Sequence, residues 1–203
     1  EPQVRRVLAV GAGGLDRELR GAGFDVVTAA HAATRMAQEG IDGWDAAEAP
    51  DAVVVGLDPQ LTYLRLAAAV DCIRAGAMFV ATNRDALYPV ERGYRPGAGS
   101  VVAAIEVAAQ QSPAVTIGKP ERHLLVAAAR VVGGDVRRAV MIGDGLYSDI
   151  AAARNVGCRS ILMLTGVTSR AAADALPPHE RPTEIAADAD ELAAALDRLA
   201  ADG

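Results

Sequence analysis

The chain has 203 residues, of which 51% are hydrophobic and 3% aromatic, and its formal net charge is −6. That length and apolar content suit one large or two small domains with a sizeable core, and they exclude a disordered chain. The acidic balance argues against nucleic acid as a partner, and no apolar run is long enough to span a bilayer as a helix.

With no signal-peptide pattern, a cytoplasmic protein is expected, without nucleic-acid or membrane partners. Cys72 and Cys158 lie far apart and are expected as reduced thiols. His31, His123 and His179 are scattered, with no zinc-ligand spacing between any two.

Arg5–Val10 reads as a strand, followed directly by Gly11-Ala12-Gly13-Gly14, a helix over Leu15–Gly21 and a strand over Phe24–Thr28. This unit invites a dinucleotide reading, but the third glycine of that fingerprint falls at Asp16, and no acid ends the second strand. A plain tight turn is the expected reading. A helix over His31–Gly40 and a loop over Ile41–Ala49 with the only tryptophan, Trp44, come next. Asp51–Gly56 reads as a buried strand, Leu61–Gly76 as a helix and Ala77–Ala81 as a strand. Leu61, Leu64, Ala68, Cys72 and Ala75 give that helix its apolar face. The alternation of strands and helices predicts a parallel sheet built from βαβ units.

Thr82–Gly99 breaks the rhythm as a long polar and aromatic loop holding Asn83, Asp85, Tyr88, Tyr94 and Arg95. A loop of that length in a compact domain points to function. A helix over Val101–Gln110 and a strand over Ala114–Ile117 follow. Gly118-Lys119-Pro120 then leads into a helix over Glu121–Val132, with Pro120 expected in its first turn. Lys119 thus follows a strand and precedes a helix. A strand over Arg138–Ile142 ends at Gly143-Asp144, and Asp149 opens an expected helix over Asp149–Val156. Acids beyond the carboxyl ends of strands suit a hard, oxygen-liganded cation such as Mg²⁺, although Asp149 as a helix cap and Asp144 as a turn residue fit the same residues. Ser160–Leu164 is the next strand, ending in the polar loop Thr165-Gly166-Val167-Thr168-Ser169, and Glu191–Ala201 is the last helix.

Read in order, A-T-N-R-D with P-G-A-G-S, then G-K-P, then G-D-G-L-Y-S-D-I and L-T-G-V-T-S resemble the haloacid dehalogenase-like phosphatases. The branch resembled is that of the NagD-type, p-nitrophenylphosphate and phosphoglycolate phosphatases. The resemblance implies an α/β fold in which residues 1–113 form a large α/β cap domain. Residues 114–203 would then form the C-terminal half of the Rossmann-like core.

It also implies Mg²⁺-dependent hydrolysis of a small phosphorylated metabolite through an aspartyl-phosphate. Lys119 would steady the nucleophile and the phosphoryl group, Asp144 would ligate Mg²⁺, and Asp149 would support the metal directly or through water. Asn83, Asp85, Tyr88, Tyr94 and Arg95 would face the substrate. The family's nucleophile motif, Asp-x-Asp, occurs here only as Asp188-Ala189-Asp190, which reads as a helix cap. The segment carrying the nucleophile is therefore expected elsewhere, lost or on a second chain, and a protein of these residues alone is expected to be inactive. A core of about three strands with an open edge follows from this reading. A homodimer through the cap domain, and a non-catalytic binding module, are the other expectations.

Overall fold

The structure is a computed structural model that describes residues 4–40 and 50–201. Trp44 and its expected loop lie outside the described residues. By its internal contacts the chain divides into two units, Glu1–Ile117 and Gly118–Gly203.

The first unit carries strands β1 (Arg6–Val10), β2 (Asp25–Thr28), β3 (Ala52–Val55), β4 (Met78–Ala81), β5 (Leu87–Val90), β6 (Gly93–Pro96) and β7 (Val115–Thr116). Its helices are α1 (Gly13–Gly21), α2 (Ala29–Glu39), α3 (Tyr63–Arg74) and α4 (Ala98–Ala109). Five strands form one parallel sheet in the order β2-β1-β3-β4-β7. The apolar runs that announced the strands supply the core. Leu8, Val10, Val53, Val55 and Phe79 pack with residues of α2, α3 and α4. Phe79 is fully buried, which contributes about 1.5–3 kcal/mol.

Helix α3 buries Ala68, Ala69, Cys72 and Ile73, so its inner face is turned slightly from the expected one and Ala75 is exposed. Thr28 and Thr62 accept hydrogen bonds from the N–H groups of His31 and Arg65, capping α2 and α3. The glycine turn after β1 is a tight βα turn. Asp16, where a dinucleotide fingerprint needs glycine, is ion-paired with Arg20 at 2.7 Å.

Two features of this unit differ from expectation. Val115 and Thr116 pair with Val80 and Ala81, so β7 completes this sheet, although the sequence groups that strand with the C-terminal part. Thr82–Gly99 is not one loop, since β5 and β6 form an antiparallel hairpin inside it.

The second unit contains α5 (His123–Val131), β8 (Val140–Gly143), α6 (Ala151–Val156), β9 (Arg159–Met163), α7 (Arg170–Asp174), β10 (Glu184–Ala186) and α8 (Ala189–Ala201). Its strands form a parallel three-stranded sheet in the order β10-β9-β8. β8 and β9 fall on expected strands, whereas β10 was not expected, and the third expected strand of this part is β7 of the other sheet. Alternation along the central strand β9 sends Leu162 to one face, with Leu146, Ile150 and Leu176, and Ile161 to the other, with Ala195 and Leu199. β8 pairs with β9 on one side only among the described residues. Its Ile142 is 42% exposed, and α5 buries none of its side chains. Cys72 is buried and Cys158 half-buried, each as a thiol. No helix among the described residues is long and apolar enough to cross a membrane.

Candidate active site

The site is built at the carboxyl end of β8. The strand delivers Gly143, then Asp144, and the chain turns back through Gly145. The expected helix from Asp149 does not start there. Leu146–Ile150 is a π-helical turn, and the α-helix begins at Ala151. The carbonyl of Gly145 accepts from Asp149 N–H at 2.9 Å and from Ile150 N–H at 3.1 Å, which widens the turn. Leu146 and Ile150 anchor it in the apolar cluster under β9. Asp149, between them, is carried inward until its side chain is only 5% exposed.

A buried carboxylate needs donors, and three converge on Asp149. Lys119 Nζ lies 2.5 Å from Oδ1, while Oδ2 accepts from the N–H groups of Asp144 (3.2 Å) and Gly145 (3.0 Å). A Cβ on Gly143 would fall 2.4 Å from the Asp149 Cγ, so only glycine leaves room for this carboxylate. Lys119, 34% exposed, belongs to the turn that opens the second unit. Pro120 lies in that turn and not in the first turn of α5, which starts at His123. Glu121 N–H closes the turn onto the Gly118 carbonyl at 3.0 Å, and Asn155 Nδ2 of α6 donates to the Pro120 carbonyl at 2.9 Å.

Asp144 is half-buried and held from the loop after β9. Val167 N–H donates to its Oδ2 at 3.0 Å, and Thr168 Oγ1 donates to its carbonyl at 2.5 Å. Its Oδ1 has no hydrogen-bond partner among the described residues. The structure therefore brings Lys119, Asp144 and Asp149 into one cluster. It commits Asp149 to Lys119 and the backbone, and leaves Asp144 as the carboxylate with an open oxygen.

The described residues hold no group of three or more His, Cys, Asp or Glu side chains able to bind a metal unaided. That donor set still fits Mg²⁺, which is usually held by one or two carboxylates, water and substrate phosphate oxygens. Asp188 caps α8, as expected, with Oδ1 accepting from Glu191 N–H at 2.9 Å, while Glu191 reaches back to Ala187 N–H at 2.8 Å.

The other candidate residues lie in the first unit. Tyr88 and Arg95 are cross-strand neighbours in the hairpin, and both line a cavity of about 350 Å³ with Leu57, Leu61 and Val101. Its wall includes Asp58, a buried carboxylate ion-paired with Arg65 at 3.0 Å, which carries no sequence signal of its own. Tyr94 is 59% exposed and is not part of that lining. Asn83 and Asp85 shape the loop: Asn83 Oδ1 accepts from Asp85 N–H at 3.1 Å. The P-G-A-G-S segment grips them through the backbone. Gly97 N–H donates to Ala86 and Gly99 N–H to Asp85, at 2.7 and 2.9 Å, and a Cβ at either glycine would meet backbone at 2.2–2.3 Å.

A parallel α/β architecture with a lysine and two acids clustered at a strand's carboxyl end is the place where open α/β proteins bind their ligands. Comparison with known proteins is more specific. Residues 116–192 match the HAD-hydrolase-like family profile. The D-glycerol 3-phosphate phosphatase of Mycobacterium tuberculosis is 45% identical over 139 residues, 68% of this chain and 38% of that protein. A glycerol phosphate phosphatase from the same organism, solved in complex with magnesium, is 36% identical with a TM-score of 0.77, over 95% of this chain and 53% of that one. The p-nitrophenyl phosphatase from Archaeoglobus fulgidus is 27% identical with a TM-score of 0.76, over 96% of this chain and 68% of that one.

The chain belongs to the haloacid dehalogenase-like hydrolases, in the branch of NagD-like and p-nitrophenyl phosphatases. It spans about half the length of the curated relatives it matches.

Proposed function

We propose that these residues form the cap domain and the lysine-and-metal half of the core of a cytoplasmic phosphatase, one that hydrolyses a small phosphomonoester with Mg²⁺. The observation that carries this reading is the Lys119–Asp149 pair at 2.5 Å, with the same carboxylate bound to the N–H groups of Asp144 and Gly145. An ammonium has three N–H donors, and Asp149 occupies one, leaving two for phosphoryl oxygens. Asp144 Oδ1 is the oxygen that would hold Mg²⁺, with Asp149 acting behind it. The ion, when bound, neutralises charge on the transferring group. Asp149 keeps the ammonium aimed, so that Lys119 meets the phosphoryl group without reorganising.

The attacking carboxylate of an aspartyl-phosphate route is assigned to neither Asp188 nor Asp190, which stand at the start of α8, where Asp188 is its cap. We assign it to a segment beyond these residues, in the same polypeptide or on a second chain. The unpaired edge of β8 and the uncovered α5 support that assignment. Tyr88 and Arg95 are the residues of choice for contacts to the leaving group, because they share a cavity. Dimerisation through the cap domain remains part of the proposal.

The test compares a protein carrying the upstream segment with its Asp144→Asn variant on p-nitrophenyl phosphate and glycerol phosphate. Mg²⁺-dependent turnover should fall on the order of a hundredfold or more. Undiminished turnover in the variant sinks the assignment. A second reading, a non-catalytic binding module, predicts that the longer protein is inert towards both esters.

A further inference from the structure

We infer that Thr168 and Gly166, on the loop after β9, are positioning residues that fix the peptide plane between Asp144 and Gly145 and so aim the Asp144 carboxylate. The inference rests on the reading of Asp144 as the Mg²⁺ carboxylate and adds the residues that orient it.

That peptide unit is held at both poles. Its carbonyl, from Asp144, accepts from Thr168 Oγ1 at 2.5 Å, and its N–H, from Gly145, donates to Asp149 Oδ2 at 3.0 Å. A peptide is planar and rigid, so rotating it breaks both bonds together. Val167 N–H takes Asp144 Oδ2 at 3.0 Å, which leaves Oδ1 as the open oxygen.

The loop reaches Asp144 only because residue 166 is glycine. A Cβ there would lie 1.9 Å from Asp144 Oδ2 and 2.4 Å from its Cβ and Cγ. Both ends of the loop are tied down. Leu164 N–H donates to the Ala186 carbonyl at 2.9 Å, and Ser169 Oγ accepts from Ala172 N–H at 3.2 Å, capping α7. Thr168 therefore presents its hydroxyl from a fixed frame. Through the shared peptide it also reaches Lys119, because Asp149 holds Gly145 N–H with one oxygen and the Lys119 ammonium with the other.

The test uses the 203-residue chain labelled for NMR, with amide hydrogen exchange at Gly145 and Val167, and Mg²⁺ affinity from titration of amide shifts. Thr168→Val keeps the shape and deletes the donor. Gly145 exchange should rise at least about fivefold, the equivalent of one ordinary hydrogen bond, and Mg²⁺ affinity should fall by a similar factor. Thr168→Ser restores the hydroxyl and should recover both, which a purely packing role for threonine does not predict. Gly166→Ala pushes the same loop away by another route and should speed Val167 exchange at least as much.

Gly145 exchange and Mg²⁺ affinity within about twofold of wild type in Thr168→Val overturn the inference, as does unchanged Val167 exchange in Gly166→Ala. If Thr168→Val does not fold, the Gly166→Ala arm decides alone. A wild-type chain that binds no Mg²⁺ overturns the magnesium reading, while the exchange arms still judge the clamp.

Discussion

Replacing Lys119 by Met keeps the apolar stem and deletes the ammonium. Asp149 is then left as a buried anion with only the N–H groups of Asp144 and Gly145. Breaking a buried ion pair on one side costs about 3–5 kcal/mol, whereas an exposed pair is worth about 0–1. Here the carboxylate is 5% exposed and the ammonium 34%, so solvent screens one partner but not the other. We place the cost of Lys119→Met at about 1–3 kcal/mol. Asp149→Asn should cost a similar amount, since it presents an amide to the ammonium. The double variant removes both charges and leaves none buried. It should cost less than the sum of the singles, with a coupling of about 1–2 kcal/mol.

The assay is native-state hydrogen exchange at Asp149 and Ile150, whose N–H groups bond to Gly145 and report opening of the π-turn. Single costs that add to within about 0.3 kcal/mol would refute the pairing as an energetic unit.

Asn155→Ala frees the Pro120 carbonyl and should speed exchange of Glu121 N–H, the bond that closes the Lys119 turn, by about fivefold. Asn155→Asp should not rescue it, because a carboxylate has no proton to donate to a carbonyl; equal protection in Asp and Asn forms counts against the tether. At the other edge of the sheet, the hydrogen bond from Arg198 (2.8 Å) lowers the Glu184 pKa, outweighing a slight desolvation that raises it, and the guanidinium charge adds to the lowering. A depressed carboxyl stabilises the fold above its unfolded value, about 4.3, and that share is lost as pH falls through the folded value. Attachment of α8 to β10 should therefore weaken below about pH 4, and Arg198→Gln should flatten the effect. Thermal melts at pH 5 and pH 3 that shift equally in both proteins would contradict this.

Much of the architecture was legible because buried parallel strands are short apolar runs, and A-V-V-V, V-M-I-G and S-I-L-M stand out between helices of regular spacing. What escaped had physical causes. Pro89 and Pro96 made Thr82–Gly99 read as loop, yet both fit a two-stranded ribbon, where one edge of each strand needs no ladder bond. β10 has three residues and α7 five, too few to show a period. Leu146 and Ile150 sit four apart, the spacing of an α-helix, and nothing in the side chains announces that Gly145 will accept both i+4 and i+5 N–H groups. The grouping of Lys119, Asp144 and Asp149 was legible in the order of the motifs. The parts of Thr168, Asn155 and Gly166 were not, because each acts on a backbone group or on space, and a sequence displays neither.

The role of Asp149 shows what the backbone adds. As a sequence position it fits a helix cap or a metal ligand; in the structure its side chain serves as an internal counter-ion. The widened turn carries it under β8, where the missing Cβ of Gly143 makes room, and the amides after that glycine become its donors. G-D-G-L-Y-S-D-I is thus a cradle in which the second acid folds back onto the peptide groups flanking the first. The geometry ties three properties together: how deeply Asp149 is buried, where Lys119 points and how the Asp144–Gly145 peptide lies. A substitution that disturbs one should disturb the other two. Gly143, which bears no functional group, is as much part of the site as the acids it separates.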